Sequence, residues 1–108
     1  MYRVIIEHHP KKGQEKALIK QWQKGSDVIQ TYPGARGTKL FRDPNKPEIL
    51  YAMADWETAE FREEAFENIK KEHADSEQIF HGYEAYLDSH ETIGRFDLIA
   101  ESNPPVKK

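Results

Sequence analysis

The chain reads as a single α+β domain with the element order β-α-β-β-α-β, and three observations carry that reading. Its 108 residues are the length of one domain. The hydrophobic pattern switches between a period of two and a period near four, as strands and amphipathic helices require. The switches fall at turn signals, above all Pro33-Gly34 and Asp43-Pro44-Asn45-Lys46-Pro47.

Each element follows in order. Tyr2 to His8 is a β-rich run closed by Pro10 and Gly13, hence a strand. From Gln14 to about Tyr32 the spacing is helical, with Leu18, Trp22, Gly25 and Ile29 on one stripe. Gly25 weakens that helix by about 1 kcal/mol relative to alanine; close approach of helix to sheet, or a kink, accounts for it. Pro33-Gly34 stops the helix. Ala35 to Arg42 and Glu48 to Trp56 then form a hairpin around the proline-rich turn. Thr58 is the N-cap of a second helix, with Glu60 in its first turn, where the macrodipole favours an anion. Phe61, Ala65, Ile69 and His73 step by four along one face of it. The helix continues, broken near Ser76, to Phe80. Tyr83 to His90 reads as the fourth strand, and Arg95 to Glu101 resumes an extended pattern after Glu91 to Gly94.

This order is the split βαβ, or ferredoxin-like, arrangement, in which two helices cover one face of an antiparallel four-stranded sheet. The third strand adds a constraint. Leu50, Ala52, Ala54 and Trp56 point to one side, and Ile49, Tyr51 and Met53 to the other. A strand apolar on both faces is buried on both, and two helices cover only one. A second copy of the sheet, related by a two-fold axis, is the expected cover, so the chain is expected to be a homodimer.

Composition narrows the function. The net charge is −3 and basic residues are dispersed among acidic ones, so nucleic acid is not an expected partner. The sequence has no cysteine, which excludes disulfides, thiolate metal sites and a thiol nucleophile. No leader-like or membrane-spanning apolar run occurs, so a cytoplasmic protein without a membrane partner is expected. Residues 1–101 are expected to form the domain and residues 102–108, with Pro104-Pro105, a flexible tail.

The run Asp55-Trp56-Glu57-Thr58-Ala59-Glu60-Phe61 resembles the strand-to-helix junction of the antibiotic biosynthesis monooxygenase family. The opening strand, Lys12-Gly13 before the first helix and Pro33-Gly34 before the second strand fit the same family, over roughly residues 2 to 101. The resemblance implies a dimeric α/β barrel with a cavity between sheet and helices that takes small aromatic or polyketide-like molecules. Some members oxidise quinols or anthrones with O₂ and neither metal nor flavin; others cleave haem. In the quinone-forming branch an Asn precedes the motif tryptophan by four positions and a Tyr follows it by six. Ala52 and Arg62 stand there in this chain. The haem-cleaving branch has a second Trp, where this chain has Ala65, a His about ten residues further on, where this chain has Asp75 with His73 two residues away, and a first-strand Asn, which this chain lacks.

Trp56 is the motif residue retained and the candidate stacking platform for a flat substrate. His73, which carries a titratable group at the end of the apolar stripe, is the candidate general base. Tyr51, Tyr86 and Phe61 are candidate substrate contacts, and Tyr83 is a further strand aromatic; each serves equally as a core or interface aromatic. His8 and His9 end the first strand on opposite faces. One of them, with His81 and Glu84, is the single place where a metal could gather, but the spacing matches no ligand motif, and no metal or cofactor is expected. Asp88 and His90 share a strand face. Glu57, Glu60, Glu63, Glu64 and Glu67 with Arg62, Lys70 and Lys71 form a solvated helix face. The expected function is cofactor-independent oxygenation of a small aromatic or quinol. A non-catalytic binder of an aromatic or haem-like ligand and a small isomerase are the alternatives.

Overall fold

The computed structural model describes residues 1–106. Strand β1 (Tyr2–Pro10), helix α1 (Glu15–Ile29), strands β2 (Ala35–Asp43) and β3 (Lys46–Trp56), helix α2 (Ala59–Glu72), short helix α3 (Ser76–His81), a 3₁₀ turn (Gly82–Tyr86) and strand β4 (Leu87–Asp97) follow one another. The four strands form one antiparallel sheet in the order β2-β3-β1-β4. This is the ferredoxin-like α+β fold.

Cross-strand register assigns each side chain to a face. His8 pairs with Leu50 and His90, Ile6 with Ala52, Val4 with Ala54, and Tyr2 with Trp56. These positions look toward the helices, and Val4, His8, Leu50, Ala52 and Trp56 are buried. The alternate positions, among them Arg3, Ile5, Glu7, Tyr51, Met53, Phe41 and Phe96, form the opposite face, which no element among the described residues covers. Phe41 and Phe96 are 47% and 48% exposed there. Arg3 spans this face to Asp55 with two hydrogen bonds of 2.7 and 2.9 Å.

The helices lie where their sequences end them. Thr58 is extended and its hydroxyl accepts from the Phe61 N–H at 3.3 Å, capping α2. Gly34 has φ +83°, and a Cβ there would stand 2.3 Å from Phe61, so this position demands glycine for both conformation and space. Gly25 makes room for a helix rather than for the sheet. A Cβ on it would meet the Ile79 carbonyl at 3.3 Å, where α3 crosses α1. Gln21 reinforces that crossing by donating to the Gln78 and Ile79 carbonyls at 3.0 and 3.2 Å.

Three expectations change. The turn between β2 and β3 shortens to Pro44-Asn45, because the Asp43 carboxylate accepts from the Asn45 N–H at 2.8 Å and lets pairing begin at Lys46. Tyr83 to Tyr86 is a 3₁₀ turn, and β4 begins at Leu87. Glu91 to Gly94 does not interrupt β4. Ile93 is taken up as a bulge between the pairs Ile6–Thr92 and Ile5–Gly94, and the strand continues to Asp97. Residues 98–106 form no regular element, and Lys107 and Lys108 of the expected tail lie outside the described residues.

Candidate active site

α2 stands off the sheet, and the space beneath it is a cavity of about 580 Å³ enclosed by β1, β3, α1, α2 and α3. Val4, Ile6 and His8 form part of its floor and Trp22, Phe66 and Phe80 part of its walls. The lining is mainly apolar and aromatic, as ligand sites usually are. Trp56, 1% exposed, closes one end, with the Phe66 ring 6.3 Å from its own and Phe80 5.6 Å beyond Phe66 in an edge-on contact.

His8 closes the other end. It is 3% exposed, and its Nδ1 is buried without a hydrogen-bond partner. Tyr83 meets the His8 ring edge-on at 5.5 Å, and His90 stacks on it at 6.2 Å. Burial, with the nearby charges of His90 and His9, lowers the pKa of His8 from 6.5 to about 4. The ring is therefore neutral at ordinary pH. An orphaned polar atom costs about 1–3 kcal/mol. Burial also raises the Tyr83 pKa, with a contribution from Glu84.

Arg62 enters from the second turn of α2. Its guanidinium lies over the Phe66 ring, 4.9 Å from the centroid.

Of the residues singled out in the sequence, Trp56 lines this cavity, together with Tyr83 and His81. His73 does not. α2 ends at Glu72, and His73 is its C-cap with φ −119° and ψ 106°, so the step of four that holds through Ile69 no longer applies to it. Tyr51 lies on the uncovered face, where its hydroxyl donates to Glu7 at 3.2 Å. Phe61 packs at Gly34, and Tyr86 packs on the cluster of Leu18, Leu50 and Leu87. Glu84 sits between His81 and His90 at 3.3 and 3.4 Å. Among the described residues no three His, Asp or Glu side chains are arranged to hold a metal ion. His8 was legible as a strand end, but its burial comes from the 3₁₀ turn, which no local pattern announces.

A family model for antibiotic biosynthesis monooxygenases matches residues 1–73, which span β1 through α2 and so include Trp56 and most of the cavity floor. The chain belongs to the antibiotic biosynthesis monooxygenase family. No curated protein sequence matches it. Solved structures share the fold at low identity. SnoaB, a cofactor-independent oxygenase from Streptomyces nogalater, superposes in a variant form with a TM-score of 0.76 at 13% identity, over 93% of this chain and 94% of that one. A conserved protein from Methanosarcina mazei gives 0.72 at 17% identity, over 88% and 89%. A protein from Nitrosomonas europaea gives 0.73 at 12% identity, over 93% of this chain and all of that one.

Proposed function

We propose that this chain is a cofactor-independent monooxygenase that oxidises a small electron-rich aromatic compound of the quinol or anthrone type. The observation that carries this reading is buried, neutral His8 at the end of an aromatic-lined cavity. Such a substrate reacts with O₂ once it loses a proton, so the protein need supply only a base, a stacking surface and exclusion of water. His8 takes the proton on the ring edge that it turns to the cavity. The imidazolium that forms stands beside the substrate anion, an ion pair rather than a lone buried charge, which offsets part of its desolvation. The substrate anion gives an electron to O₂, the two radicals join as a peroxide, and loss of water leaves a carbonyl. A methylene and one O₂ thus become a carbonyl and one water. Trp56 and Phe66 stack the ring.

The working unit in this reading is a homodimer that packs the uncovered sheet faces together. The half-exposed Phe41 and Phe96 and the apolar Ile5, Ile49 and Met53 on that face support it. A cytoplasmic setting suits such a protein, and no helix among the described residues is long and apolar enough to cross a membrane.

O₂ uptake with a panel of quinols and anthrones tests the reaction. One O₂ consumed per substrate, with loss of turnover in His8→Gln, is expected. The low basicity of His8 favours a second reading, a binder of the same aromatic class that accepts a hydroxyl hydrogen bond without turnover. Tight binding with no O₂ uptake would select it.

A further inference from the structure

The cavity carries one cation whose surroundings do not account for it. Arg62 is half-buried, and among the described residues no carboxylate lies within salt-bridge distance of its guanidinium. The other charged lining residues, Glu63, Glu67, Lys70 and Glu77, are exposed at the rim, where water screens them. Burial and then the like charge of Arg95 on β4 lower the Arg62 pKa; Tyr2 on β1 and the exposed Glu63 act the other way and do not cancel them. A cation that is desolvated and repelled by a second arginine is a costly arrangement for the free protein, and the contact with the Phe66 face offsets only part of it. An oxyanion with two oxygens side by side relieves that cost, since guanidinium forms two parallel hydrogen bonds with such a pair.

We propose that Arg62 is an anion anchor, and that the cavity takes an aromatic compound bearing a carboxylate or sulfonate. This rests on the cavity being the ligand site and specifies the substrate class. The anchor stacks on Phe66, which adjoins Trp56, the register partner of Tyr2 at the opposite end of β1 from His8. Six residues of strand span about 20 Å at ~3.3 Å per residue. The anionic group therefore lies on a ring or side arm remote from the carbon that His8 activates, and a long side chain at Arg62 closes part of that distance.

Two fluorescent probes differing only in the acid group test the anchor: 1-anilinonaphthalene-8-sulfonate and the neutral N-phenyl-1-naphthylamine. The wild-type protein should bind the sulfonate at least about tenfold more tightly at low salt, the difference one charge-assisted hydrogen bond makes. Arg62→Gln should bring the two probes within about twofold, with circular dichroism unchanged, and Arg62→Lys should keep part of the preference. Equal affinities in the wild type, or a preference that survives Arg62→Gln, would overturn the anchor and leave the cavity as a ligand site. Binding of neither probe would overturn the ligand site and the anchor with it.

Discussion

The two faces of one sheet put the same alternating strands to opposite uses. On the helix side the register gathers Val4, Ile6, His8, Ala52, Ala54 and Trp56 under α1 and α2, and the small side chains of Ala52 and Ala54 leave the volume that becomes the cavity. On the other side Arg3 binds Asp55, Tyr51 binds Glu7, and Phe41 and Phe96 stand about half exposed. One face buries a polar atom it does not satisfy. The other satisfies its polar groups and leaves apolar ones uncovered. In the proposed reading the cavity takes a small molecule and the uncovered aromatics take a protein surface, so the two faces call for partners of different kinds.

The strongest way to break this contrast is chemical. His8→Gln should lower turnover by about 10²- to 10⁴-fold, the usual worth of a general base, measured as O₂ uptake at saturating substrate. Trp56→Phe should instead raise KM and change kcat little. On the uncovered face, Phe96→Asp should convert the proposed dimer to a monomer of 12.6 kDa, read by light scattering at micromolar concentration, while the isolated fold keeps its circular dichroism.

A pH titration sharpens the same comparison. The folded-state pKa of His8 lies below its unfolded value, so the unfolded chain binds the extra proton first. The stability tied to neutral His8 is complete above pH 6.5 and is lost as the pH falls from there toward 4. Between pH 7.5 and pH 5 the urea midpoint should reflect a loss of about 2 kcal/mol, and His8→Leu should abolish it. Turnover should follow the neutral form of His8 and fall only near pH 4. A fall centred near 6.5 would point to a more exposed imidazole. On the uncovered face Arg3→Ala should cost about 1 kcal/mol at most, because Arg3 is partly exposed and water screens the pair. The smallest effect is reserved for His73→Ala, which should leave both the proposed turnover and the proposed dimer unchanged.

Much of the fold was legible because it depends on local signals. Period-two alternation marks β1 to β3, the stripe Leu18, Trp22, Gly25, Ile29 marks α1, and Thr58 caps α2 through its own hydroxyl. The misreadings lie where local pattern and long-range contact disagree. Tyr83 to Tyr86 alternates like a strand, yet it packs on Leu18, Leu50 and Leu87 and bends into a 3₁₀ turn. His73 continues a helical spacing in the sequence after the helix itself has ended.

What the sequence determined by itself was the order of elements, the face each residue of β3 takes, and the Trp56 corner, because each follows from backbone periodicity and side-chain chemistry within a few residues. Only the tertiary structure decided that His8 rather than His73 meets the cavity, and that Arg62 meets it without a counter-ion. Burial and ion pairing depend on partners far along the chain. Tyr83 and His90, more than seventy residues from His8, seal that histidine from water, and no spacing near position 8 announces them.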